Sequence, residues 1–116
     1  MRKIEFYRTE EGRSPVEDFF DSLESGQMQK VAWTLQLIKD LDIVPMQYFK
    51  KLDGTNNLWE VRVKSGNIQI RILGFWKANN FILLTNGFIK KTNKIPGKEI
   101  KTAVKRMSKY LERYRK

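Results

Sequence analysis

Arg62 and Arg71 stand nine positions apart, on either side of the short turn Ser65-Gly66-Asn67. A guanidinium is a permanent cation with a planar fork of donors that matches phosphate oxygens, so two of them on one surface suit a phosphodiester. Around them Trp59, Val61 and Val63 alternate with Leu58, Glu60, Arg62 and Lys64, and Ile68, Ile70 and Ile72 alternate with Gln69, Arg71 and Leu73. A period of two on both sides of a Gly-containing turn predicts a hairpin with one apolar and one polar face. The turn decides how the arginines meet. With Ser65-Gly66 as the loop, Arg71 faces Glu60 and Arg62 faces Gln69, an ordinary neutralised surface. With Gly66-Asn67 as the loop, which places Gly first as a type II′ turn prefers, Arg62 lies opposite Arg71, and like charges so placed call for an anion between them. Both registers keep the two guanidiniums on the same face, because they differ by two residues.

A second cationic set follows in Gly87-Phe88-Ile89-Lys90-Lys91-Thr92-Asn93-Lys94-Ile95-Pro96. Here a strand runs into three lysines and then into a helix start, whose free amides and positive dipole end already favour phosphate. If this strand lies beside the hairpin, Lys90, Lys91 and Lys94 approach Arg62 and Arg71. Lysine can also lose its proton, and crowding by other cations eases that loss, so Lys90 or Lys91 is a candidate base, with Glu60 as the other.

Composition narrows the chemistry further. The 116 residues hold 23 Lys and Arg against 13 Asp and Glu, a formal charge of +10, with no His and no Cys. Thiolate metal sites, cysteine nucleophiles and the usual near-neutral base are therefore excluded, and the scattered carboxylates show no metal-ligand spacing. Residues 1–89 carry 12 basic and 11 acidic groups, net +1, so residues 90–116 with 11 basic groups, Glu99 and Glu112 supply +9. Such a block attracts phosphodiester backbones or an acidic partner protein. No long apolar run and no apolar leader core is present, which predicts a cytoplasmic protein without a membrane span.

The elements that must position these residues read as one α+β domain over 1–116. Ile4 and Phe6 alternate with Lys3 and Glu5 as a first strand. Ser14-Pro15-Val16-Glu17 combines a capping box with proline at the first helical position, and Val16, Phe19, Phe20 and Leu23 follow at helical spacing, with Ser25-Gly26 expected to end the helix. Met28, Val31, Ala32, Leu35, Ile38 and Leu41 predict a second helix that stops before Pro45. The hairpin comes next, then a strand from Phe81 to Phe88. Pro96 opens a last helix with Ile100, Ala103, Val104, Met107, Leu111 and Tyr114 on its apolar side and Lys98, Lys101, Lys105, Lys109 and Arg113 on the remainder. The order is β-α-α-β-β-β-α with a mainly antiparallel sheet. Phe19, Phe20 and Trp33 occupy core-like helical positions, and Phe88 and Trp76 read as core aromatics that could otherwise stack on unpaired bases.

Taken together, Leu58-Trp59-Glu60-Val61-Arg62, Arg71-Ile72-Leu73, Gly87-Phe88-Ile89-Lys90-Lys91-Thr92, and Lys94, Pro96, Glu99, Ile100 and Ala103 in step resemble the phage-derived, HigB-like branch of the RelE/ParE toxin superfamily. The early strand, the Ser-Pro-Val-Glu-Asp-Phe helix start and the helical hairpin extend the likeness over residues 1–110. The resemblance implies a compact toxin of a type II toxin–antitoxin pair, which enters the ribosomal A site and cuts mRNA. It implies a small helix-turn-helix DNA-binding antitoxin as partner. By this similarity Arg62, Arg71, Lys90 and Lys91 are catalytic, and Lys94 with Lys98, Lys101 and Lys105 of the last helix contacts RNA. Relatives that use His or Tyr for proton transfer differ, since no His is present and no Tyr lies between Tyr48 and Tyr110. A lysine of some relatives on the first hairpin strand is replaced by Glu60.

Cutting RNA by attack of its own 2′-hydroxyl needs neither a protein nucleophile nor a metal. It needs in-line positioning and cations where charge grows at phosphorus, which is what this residue set offers. Two other functions fit the same sequence: a ParE-like toxin that acts on DNA gyrase without nuclease activity, and a non-catalytic nucleic-acid-binding module that clamps phosphates with its basic end.

Overall fold

The computed structural model describes residues 1–114; Arg115 and Lys116, the last two cations of the basic segment, lie outside the described residues. The chain runs β1 (Lys3–Phe6), α1 (Pro15–Asp21), α2 (Ser25–Asp40), β2 (Phe49–Lys51), β3 (Leu58–Ser65), β4 (Ile68–Ala78), β5 (Phe81–Lys90) and α3 (Gly97–Arg113). The described residues form an α+β fold with three helices and one five-stranded mixed sheet in the order β1-β5-β4-β3-β2. The sequence pattern foresees all but β2, whose three residues are too short to show a period. The sheet is not wholly antiparallel. The helical pair carries the chain from one edge of the sheet to the other, which leaves β1 beside β5 and parallel to it.

Local chemistry explains the helix limits. The Ser14 hydroxyl accepts from the Glu17 amide at 3.2 Å, but the Glu17 carboxylate turns to Arg8 at 3.1 Å instead of closing the box. Ser25-Gly26 does not end α1, contrary to expectation: Ser22 caps it, and the Gln27 side chain accepts from the Glu24 amide at 3.0 Å, so Ser25 and Gly26 become the first turn of α2. At the other end of α2, Leu41 falls outside the helix and is exposed. The Arg2 guanidinium takes over there, donating to the carbonyls of Ile38, Leu41 and Asp42 and satisfying the acceptors that a helix terminus leaves open.

Both faces of the sheet are packed, so the second face of the hairpin, expected to be polar, is apolar where Leu58, Leu73 and Phe75 meet α3 and polar at the end that carries Glu60, Arg62 and Arg71. On one side Val61, Val63, Ile70, Ile72, Ile82 and Leu84 meet Val16, Val31, Leu35 and Ile38 of α1 and α2. Gly87 of β5 permits α1 to come this close, since a Cβ there would lie 2.4 Å from Phe19 Cδ2. On the other side Leu58, Leu73 and Phe88 pack on Ala103 with Ile100 and Met107, and Phe75 and Leu83 pack on Met107 and Tyr110. The face of α3 turned to the sheet is thus buried Ala103 with half-buried Ile100, Met107 and Tyr110, while Val104, Leu111 and Tyr114 remain exposed. Polar ties lock it: Asn86 Nδ2 donates to the Glu99 carboxylate at 3.0 Å and Arg106 donates to the Thr85 carbonyl at 2.9 Å. Trp76 and Phe88 pack into these cores as expected. Trp33 does not; it is 51% exposed.

Candidate active site

The β3–β4 turn is Gly66-Asn67. Ser65 pairs with Ile68, and Gly66 has φ +59°, the left-handed conformation that a glycine at the first position of a type II′ turn adopts without strain. The register therefore sets Arg62 directly opposite Arg71. Across the next pairings Arg71 stands opposite Phe88, Gln69 opposite Lys90, and Lys50 of β2 opposite Glu60. Paired residues share a sheet face. One end of the face that carries α3 therefore gathers Lys50, Glu60, Arg62, Arg71 and Lys90 from four adjacent strands.

Glu60 sits between the arginines. Its Oε1 is 3.6 Å from Arg62 Nε and its Oε2 is 3.7 Å from Arg71 Nε. Glu60 and Arg71 are almost fully buried, whereas Arg62 keeps about a third of its side chain in solvent. The Arg71 fork is fixed at its tips, with Nη1 donating to the Ile70 carbonyl at 3.1 Å and Nη2 to Gln69 Oε1 at 2.9 Å. Its Nε and Glu60 Oε2 are both buried and have no hydrogen-bond partner among the described residues. A desolvated donor left short of a partner is costly, and it gains more from an arriving anion than a solvated one would.

The electrostatics follow the geometry. Burial lowers the pKa of Arg71 first; Glu60 opposes the shift and Arg62 adds to it. Lys90 is also held below the usual lysine value, by burial first, then by Arg71, with Glu60 opposing and Arg62 and Lys50 adding. Four cations thus surround one carboxylate. The cluster can bind a dianionic or oxyanionic group, and the ammonium form of Lys90 is disfavoured within it.

Of the residues singled out by sequence, Arg62, Arg71, Glu60 and Lys90 come together. Lys91 and Lys94 lie exposed just past the end of β5. Lys98 and Lys101 are exposed on α3, and Lys105 lines a different cleft, of about 400 Å³, between α3 and the β1–α1 loop with Glu10 and Glu11. Lys50 was not foreseen, because it rides on the strand that sequence periodicity misses; the signal was the step from buried Phe49 to Lys50 ahead of the Asp53-Gly54 turn. Among the described residues no group of three or more carboxylates converges as a metal site.

The residues thus build a small α+β protein with a cluster of cations at one end of the sheet face that carries α3. Residues 18–108 match the family described as phage-derived protein Gp49-like (DUF891), and the chain belongs to that family. The family is toxin-like, related to the RelE/ParE type of toxin–antitoxin toxins, and implies a cognate antitoxin partner. No curated protein matches the chain. No helix among the described residues is long and apolar enough to cross a membrane.

Proposed function

We propose that the chain is a single-domain toxin of a type II toxin–antitoxin system, from the HigB-like branch, and that it is a metal-independent endoribonuclease cutting mRNA in the ribosomal A site of the cytoplasm. The observation that carries this reading is Arg62 facing Arg71 over a buried, incompletely bonded Glu60. This like-charge register costs the fold energy, and an incoming phosphate repays it.

In the proposed reaction neutral Lys90 takes the proton from the ribose 2′-hydroxyl, and the 2′-oxygen attacks the adjacent phosphorus. The bond to the 5′-oxygen of the next nucleotide breaks, leaving a 2′,3′-cyclic phosphate, and Lys50 delivers a proton to the departing oxygen. Arg62 and Arg71 hold the non-bridging oxygens as charge builds on them. Glu60 is a positioning residue: it touches both guanidiniums and aims them. Lys91 and Lys94 extend the positive rim along the RNA. Lys98, Lys101 and Lys105 contact RNA farther out, and the antitoxin, a small helix-turn-helix DNA-binding protein, inhibits by covering this basic face. The test is a reconstituted translation reaction on a defined message, with cuts mapped by primer extension for the wild type and for Arg62→Ala and Arg71→Ala. Cuts that require ribosomes and both arginines are expected; cuts by an Arg71→Ala protein equal to the wild type would remove this assignment.

A further inference from the structure

Beside the arginine cluster, at the β2 edge of the sheet, lies a second recess of about 450 Å³ that shares Arg62 with the proposed cleavage and whose other residues that reaction does not use. Its walls include Trp33 of α2, Tyr48 just before β2, and the cations Lys30, Arg62 and Lys64. Trp33 is half exposed, on the side of α2 away from the core residues Val31, Leu35 and Ile38. It meets Tyr48 at 5.6 Å between centroids and 73° between planes, so the rings form an open corner and not a closed stack. Lys30 Nζ lies 6.0 Å from the Trp33 centroid. Arg62 belongs to both places: its side chain lines the recess, and its amide donates to the Tyr48 carbonyl at 2.8 Å.

We infer that this recess is a stacking subsite for an unpaired nucleobase of single-stranded RNA, one that holds the nucleotide next to the phosphate on Arg62. The inference rests on the phosphate-binding part of the proposed function. An RNA strand whose phosphate sits on Arg62 and Arg71 must leave the clamp along one strand edge, and the edge beyond Arg62 offers aromatic faces ringed by cations. That combination is what sequence-tolerant single-strand binding uses: stacking for the base and lysine or arginine for the backbone. An apolar peptide finds no such match among three cations. The subsite therefore orients the ribose for attack, and it prefers bases with larger stacking surface, purines over pyrimidines.

The test is fluorescence anisotropy on a labelled single-stranded oligoribonucleotide at low salt, using the wild type, Trp33→Ala and Trp33→Phe. The oligonucleotide is also prepared with a single abasic position scanned along it. Trp33→Ala is expected to weaken binding roughly 5- to 150-fold, the range of one base–aromatic stack. Trp33→Phe restores most of it, and an abasic site at one position reproduces the loss in the wild type but adds nothing in Trp33→Ala. Binding unchanged by Trp33→Ala, or no saturable binding by the wild type, overturns the subsite. Failure of the cleavage reading looks different: the wild type leaves ribosome-bound message uncut while the Trp33 contribution to oligonucleotide binding persists.

Discussion

Arg62 and Arg71 face each other across β3 and β4 with the Glu60 carboxylate 3.6 Å from one Nε and 3.7 Å from the other. Neither separation is a good hydrogen bond, so a single buried anion is divided between two cations without satisfying either. This divided pair ties the stability of the sheet to its readiness to accept phosphate.

Replacing the shared anion separates those two effects. Glu60→Gln leaves Arg71 buried without a counter-charge and is expected to lower the free energy of unfolding by about 3 kcal/mol, the order found when one partner of a buried ion pair is removed. The same change frees both guanidiniums, so the folded variant binds a single-stranded oligonucleotide more tightly than the wild type. Urea denaturation and anisotropy titration check the two halves; a variant that is both as stable and as weakly binding as the wild type would refute the arrangement.

Lys90 predicts a pH profile. Its folded-state pKa lies below the ordinary 10.5, because of burial and then Arg71. As a base it works in the neutral form, so the single-turnover cleavage rate is expected to rise about tenfold per pH unit from neutrality and to level off before pH 10.5. Lys90→Arg keeps the charge and loses the rise. The sign for stability is the same: the fold disfavours the ammonium form, and the unfolded chain holds the proton longer. Stability therefore increases as pH climbs from the folded value towards 10.5, and Lys90→Met is expected to stabilise the protein at neutral pH. Rate measurements from pH 6 to 10 on both proteins decide whether the profile belongs to Lys90.

Gly87 tests how the fold supports the site. Its absent Cβ admits Phe19 of α1 against the strand that carries Lys90. Gly87→Ala is expected to cost about 1–3 kcal/mol through overpacking, and Phe19→Leu in the same chain recovers much of it. Thermal unfolding of the two single variants and the double variant measures the coupling; purely additive losses would place the strain elsewhere.

Much of this arrangement is readable without coordinates. Period-two runs around Gly66 are strong enough to place Arg62 and Arg71 on paired strands, and the apolar run from Phe81 to Phe88 leads into Lys90, but only the sheet order brings that strand beside the hairpin and extends it to Lys90. The register was left to the turn, where the glycine preference at Gly66 was the right guide. What stayed hidden has physical causes. Ser25 and Gly26 look like a helix stop because their propensities are poor, and only the Gln27 side chain closing on the Glu24 amide turns them into a start. Lys50 was missed because three residues cannot display a period, and its strand exists only by pairing with β3. Trp33 lies two positions from both Val31 and Leu35, about 200° round the helix, so its spacing sets it away from the core face; the size of its apolar ring, and not its position, makes it look like core.

The central claim is that this face cuts RNA by 2′-hydroxyl attack under arginine stabilisation. Its most direct test is cleavage of a ribosome-bound message at a mapped site, compared with the same message carrying one 2′-deoxynucleotide on the 5′ side of the cut. Wild-type protein is expected to leave a 2′,3′-cyclic phosphate on the normal message and to spare the deoxy position, with Arg71→Ala and Arg71→Lys slower by about 10²–10³. Cutting at the deoxy position, or at an undiminished rate by both Arg71 variants, would contradict the account.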